Sequence, residues 1–247
     1  MKDFVLEVCI DSVESAKAAV CGGATRLELC ANLVIGGTTP SIFLYKEIRK
    51  FSDIPINAII RPRFGDFCNT ESELKIMTNE IKQFKSEGVD GIVSGVLNPD
   101  GTINMFAMET LREASTGIHF TMHRAFDMCK DPFESIRQAE QVGVDTVLTS
   151  GQENTCIDGV KLISEIVKIT NINIMPGSGL TAELIPTIRE KTGVSSFHLS
   201  GIVVAESPMI YRKENLSMGL PSLSEFELWY TSEKKISDAR RVLESIE

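Results

Sequence analysis

Short apolar runs alternate with longer amphipathic stretches about eight times along the chain. Runs at 4–10, 25–31, 56–63, 91–97, 119–126, 146–151, 171–177 and 196–202 are rich in Val, Ile and Leu and bounded by turn residues, which predicts strands. The stretches at 12–21, 40–51, 70–87, 104–115, 132–142, 156–169 and 181–192 predict the intervening helices. Asp11 or Ser12 can cap the first helix, Thr70 or Ser72 the third, and Asp131 followed by Pro132 the fifth. Thr181 precedes the seventh. Gly22, Gly88, Gly143 and Gly193 stand where helices end. The helix-to-strand phrases Gly88-Val89-Asp90-Gly91 and Gly143-Val144-Asp145-Thr146 echo one another at the weak period of a repeated βα unit. Residues 203–221 are the longest irregular stretch, and a last helix is expected over about 222–246.

Eight βα units in 247 residues predict a (β/α)8 TIM-type barrel, a single domain over 1–247 with a C-terminal helix. An open doubly wound sheet is the alternative. The glycine-rich dinucleotide fingerprint is missing after the first strand, where Asp11-Ser12-Val13-Glu14 stands. No linker marks a domain boundary.

Alternation sorts each strand into an outer, helix-packed face and an inner face. Apolar Phe4, Leu6, Val8 and Ile10 turn Glu7, Cys9 and Asp11 inward, and Leu27 and Leu29 do the same for Glu28, Cys30 and Asn32. By the same rule Asn57, Arg61 and Arg63, Thr121 and His123, Asn173, Met175 and Gly177, and His198 and Ser200 face in. Glu7, Glu28, Arg61, Arg63, His123 and His198 are then expected to share one mouth. The plain structural expectation is an ion-pair network of Glu7 and Glu28 with Arg61 and Arg63. The functional expectation is a ligand site, with Glu7, Glu28, His123 and Asp127 as candidate proton carriers. Asp127 follows His123-Arg124-Ala125-Phe126, where it can orient an arginine or the histidine.

Met175-Pro176-Gly177-Ser178-Gly179-Leu180 runs from the seventh strand toward a helix and can turn backbone N–H groups to an anion. A tight turn that needs glycine reads equally well. Arg61, Arg63, Gly177, Ser178, Gly179, His198 and Ser200 are therefore the candidate ligand-binding residues.

Charge narrows the partners. The formal net charge of −9 argues against a nucleic-acid surface. No apolar stretch approaches the length of a membrane span, and Met1-Lys2-Asp3-Phe4 shows no signal-peptide pattern, so a cytoplasmic protein is expected. The six cysteines include no CxxC pair, and the default for each is a reduced, buried thiol.

Leu6-Glu7-Val8-Cys9-Ile10-Asp11-Ser12, Leu27-Glu28-Leu29-Cys30, Gly36-Gly37-Thr38-Thr39-Pro40-Ser41 and Ile60-Arg61-Pro62-Arg63 closely resemble the CutC family. So do Gly65-Asp66-Phe67, His123-Arg124-Ala125-Phe126-Asp127, Leu148-Thr149-Ser150-Gly151 and Met175-Pro176-Gly177. The resemblance runs in order from about residue 4 to 202. It implies a (β/α)8 barrel, a copper homeostasis protein, and Cu(I) ligands at Cys9 and Cys30. The chain departs from the family pattern at Phe64, Gln152 and Ser178, each where glycine is usual, and in His198-Leu199-Ser200-Gly201.

Two functions follow. In the first, thiolates of Cys9 and Cys30 hold soft Cu(I), for which strands about 4.8 Å apart are close enough. No histidine, methionine or third cysteine is evidently placed to tighten that site. In the second, an uncharacterised barrel enzyme acts on a small anionic or phosphorylated metabolite held by Arg61 and Arg63. The expected partners are a copper ion or a small anionic ligand, with a homodimer or other homo-oligomer, since barrels of this kind often associate through outer helices.

Overall fold

Eight short runs, nearly every residue of them buried, form parallel strands: β1 (Val5–Ile10), β2 (Arg26–Leu29), β3 (Ile56–Ile59), β4 (Gly91–Ser94), β5 (His119–Met122), β6 (Thr146–Thr149), β7 (Asn173–Pro176) and β8 (Ser196–Leu199). The structure, a computed structural model, describes residues 4–213, 216, 218–220 and 223–246. Helices α1 (Val13–Cys21), α2 (Ile42–Arg49), α3 (Glu71–Ser86), α4 (Met105–Ala114), α5 (Pro132–Val142), α6 (Val160–Val167) and α7 (Ile185–Thr192) alternate with them. Strands buried on both faces, with helices as the crossovers, suit a parallel sheet closed into a barrel. The ladder runs β7-β6-β5-β4-β3-β2-β1-β8, so the expected barrel forms and the doubly wound alternative does not. β7 and β8 close the ring across a seam where a side-chain contact, Ser196 Oγ to Asn173 Oδ1 at 3.0 Å, joins them.

The helix starts follow capping chemistry. Ser12 accepts from Ser15 N, Asp131 accepts from Phe133 N and Glu134 N, and Thr70 with Glu73 forms a reciprocal capping box. Two helices are shorter than the apolar pattern predicts. α6 begins at Val160 rather than 156, and α7 at Ile185 rather than 181, so Thr181 lies in the loop instead of capping a helix.

The expected last helix divides. Pro221 and Ser222 lie outside the described residues, but Glu227–Thr231 is a strand, β10, antiparallel to β9 (Ile202–Glu206). Leu228 and Tyr230 are half-buried while Glu227 and Trp229 are exposed, a period of two that a helix cannot use. The helix proper, α8 (Glu233–Ser245), starts after the N-cap Ser232 and packs Ile236, Ala239 and Leu243 against the barrel.

The outer strand faces and the helices share one apolar core that includes Leu6, Val8, Leu27, Ile92, Phe120 and Phe197. Inside the lower barrel the filling is polar. Arg26 Nε donates to Glu7 Oε2 at 2.5 Å, and Asn57 Nδ2 reaches the same oxygen at 3.3 Å. Thr146 Oγ1 accepts from Asn173 Nδ2 at 3.1 Å and lies 3.0 Å from His119 Nε2. Hydrogen bonds make this burial tolerable, since unpaired polar groups here would cost about 1–3 kcal/mol each.

Candidate functional site

Above the polar floor, the C-terminal strand ends and their loops enclose a cavity of about 600 Å³. Its floor is made by Cys9, Glu28 and His198, and its walls include Ile59, Phe67 and Leu148. Register explains the floor. β1 pairs Glu7 with Arg26 on one side and with His198 on the other, so the first and last barrel strands meet at the floor.

Glu7 lies one layer beneath the mouth, fully buried, and does not line the cavity. Its Oε1 lies 2.8 Å from His198 Nδ1, which leaves His198 Nε2 facing the cavity, 3.8 Å from Glu28 Oε2. One ligand atom from each of Cys9, Glu28 and His198 lies within 4.8 Å of the other two. Cys30 packs beside Cys9 against Ile59 and Val93. Its Sγ donates to Glu28 Oε2 at 3.5 Å, just behind the floor.

These groups set one another's protonation. Burial raises the Glu7 pKa, but Arg26 and His198 overcome it and hold the carboxyl at about 2. For Glu28 burial wins, aided by the nearby Glu7, and the carboxyl rises to about 6. Burial would lower the His198 pKa, yet facing Cys9, Glu7 and Glu28 raises it well above the usual value. Burial pushes both thiols up, Cys30 more than Cys9.

The expected pairing of Glu7 and Glu28 with Arg61 and Arg63 does not occur. The cation for Glu7 is Arg26, which shares parity with Glu28 and so was visible as an inward residue. Strand β3 ends at Ile59, and alternation stops with it. Arg63 turns outward to Glu73 Oε1 at 2.6 Å and Asp66 Oδ1 at 2.9 Å. Arg61 does reach the cavity, where its guanidinium meets the carbonyls of Gly37 at 3.1 Å and Gly65 at 2.7 Å. It sits over the Phe67 ring, 5.0 Å from the centroid.

His123 and Asp127 occupy the rim in different ways. His123 Nδ1 accepts from Ala125 N at 3.2 Å, capping a short 3-10 helix over Arg124–Met128. Burial first, then Arg61, depresses its pKa to about 3, so the ring is neutral. Asp127 is saturated by Arg124 Nε at 2.7 Å, Ser150 N at 3.0 Å, Gln152 N at 3.2 Å and the Thr149 hydroxyl. It orients the arginine and ties down the loop after β6. Ser178, Gly179 and Ser200 line the cavity, but Gly177 does not. A Cβ there would stand 2.6 Å from Leu148 Cδ1, so this glycine serves close packing.

A family model described as the CutC family matches residues 4–203. The chain belongs to the CutC family. A CutC family protein of Parabacteroides distasonis is 43% identical over 94% of this chain and 97% of its own length. A human relative named copper homeostasis protein cutC homolog is 37% identical over 98% of this chain and 90% of its own. The crystal structure of a Streptococcus agalactiae CutC superposes with a TM-score of 0.75 at 33% identity, covering 79% of this chain and 97% of that one. The CutC match takes in every residue of the cavity floor. The β10 strand and α8 lie beyond it.

Proposed function

We propose that this protein handles copper by binding Cu(I) at the cavity floor, with Cys9 and His198 as ligands and Cys30 as the second thiol. The observation that carries this reading is the convergence of Cys9, Glu28 and His198 within 4.8 Å at the floor of the cavity, with Cys30 in contact. Thiolate and imidazole are donors that Cu(I) accepts. Glu7 at Nδ1 fixes the His198 ring so that Nε2 serves the ion, the usual outer-shell role of a carboxylate. The copper homeostasis names of the relatives point the same way. Both thiols and the His198 ring must lose protons on binding, so affinity rises with pH.

Anaerobic competition against a chromogenic Cu(I) chelator tests the reading. Cys9→Ser and His198→Ala should each weaken Cu(I) binding at least tenfold, and Cys30→Ser should weaken it measurably. Cysteine variants that both bind like the parent protein would defeat it. Zinc titrated in parallel tells whether the site prefers the soft ion.

A further inference from the structure

The cavity is far larger than an ion requires. A water molecule occupies about 30 Å³ of liquid, against about 600 Å³ here. That volume falls within the range of small-molecule sites. Apolar side chains of Leu33, Ile59, Phe67, Leu148, Leu180 and Leu199 share its walls with polar ones.

Two polar features are left unanswered within this space. The first is Arg61. Arg26, Arg63 and Arg124 each meet a carboxylate, at Glu7, at Glu73 with Asp66, and at Asp127. Among the described residues no carboxylate lies within ion-pair distance of Arg61, which meets carbonyls instead. Its Nε is buried without an acceptor. Burial and the neighbouring Arg63 both disfavour its charge. Neutral His123 beside it supplies no compensation. On the far rim, Lys235 Nζ is held by the Ile202 carbonyl at 2.7 Å, and Asp238 is neutralised by Lys234 and Arg241. The second feature is Glu28. It lines the cavity, is 4% exposed, and keeps Oε1 without a donor.

We propose that the cavity is a binding site for a small organic anion that also carries a hydroxyl or amino group. Its carboxylate or phosphate sits on Arg61 and its donor reaches Glu28. A guanidinium suits either anion through paired N–H groups. Arg61 takes no part in the copper site, so the two ligands can be lost separately.

Calorimetric titration of the copper-free protein with glycerate, glycerol 3-phosphate and glycerol tests this. At least one of the two anions should bind, neutral glycerol should not, and the stronger anion identifies the headgroup. Arg61→Met should weaken that binding at least tenfold, Arg61→Lys should restore part of it, and Arg63→Met should leave it unchanged. Cu(I) affinity should be the same in Arg61→Met as in the parent. Because Arg61 also staples loop carbonyls, the wild-type protein carries a second readout. The Arg61 Nε–Hε resonance should shift with the bound anion and stay still with glycerol. Absence of binding by both anions, or equal binding by parent and Arg61→Met, overturns the proposal.

Discussion

Arg26→Met is the sharpest probe of how the floor is held together. Methionine keeps much of the unbranched stem and loses the guanidinium, whose Nη2 touches Met175 Sδ at 3.4 Å. The change removes the cation from Glu7, whose side chain is 0% exposed, while Arg26 itself is only 12% exposed. Deleting one partner of a buried ion pair costs about 3–5 kcal/mol. Glu7 keeps His198 at 2.8 Å and Asn57 at 3.3 Å, which places the loss near the lower bound. For a chain of this size each kcal/mol moves the melting temperature by about 2–4 °C, so Arg26→Met should lower it by roughly 6–12 °C. Thermal unfolding followed by far-UV circular dichroism reads this directly. The double variant with Glu7→Gln should be less destabilised than the two single changes added together, by about 1 kcal/mol or more, because the stranded charge is gone. A melting temperature within about 2 °C of the parent, or strict additivity, would refute the account of the floor as an ion-paired unit.

Two further outcomes are expected. Glu28 binds its proton more tightly in the folded state, at about 6 against 4.5, so that contribution to stability is complete below pH 4.5 and is lost as pH rises through 6. Relative to the parent, Glu28→Gln should therefore gain about 2 kcal/mol between about pH 4 and about pH 8, read from urea unfolding at each pH; an unchanged difference would contradict the buried carboxyl. Ser178 has φ +76 and its Oγ donates to the Asn154 carbonyl at 2.7 Å. Ser178→Ala should cost about 1 kcal/mol, while Ser178→Gly, which loses the same bond but relieves the left-handed backbone, should melt close to the parent; equal losses in both would show the backbone is not strained.

The barrel was legible because its signals are local. Helical caps at Ser12, Thr70 and Asp131 and alternation in β1 and β2 depend on neighbours in sequence, and the structure carries them all. Alternation also put Cys9, Glu28 and His198 inside. What it could not supply was depth along the barrel axis. Glu7 and Glu28 share a direction but lie in different layers, because the β1–β2 register pairs Cys9 with Glu28 and Glu7 with Arg26. The position of His198 beside Cys9 depends on closure between β1 and β8, nearly the whole chain apart. Arg63 was misplaced because alternation was extended past Ile59 into a Pro-containing loop. The β10 strand was hidden by a helical pattern immediately after it. Gln152 and Ser178, two positions where the resemblance leads one to expect glycine, carry φ +61 and +76, so these departures fall on left-handed backbone and each is tied by a side-chain hydrogen bond.

The seam between β7 and β8 has a mechanical meaning. A closed tube resists twisting along its whole circumference, whereas a slit tube shears easily along the slit. Here the slit is bridged by the hydroxyl of Ser196 on the amide of Asn173 rather than by a backbone ladder. The loops that follow its two edges carry Ser178 to Glu183 and Ser200 to Ile202, one wall of the cavity. The floor residues Cys9 and Glu28 and the wall residue Ile59 hang from the unbroken β1–β2–β3 ladder. A load on the mouth is therefore taken up on one side. The cavity can change width while the thiols, Glu28 and His198, which β8 holds against β1, keep their spacing.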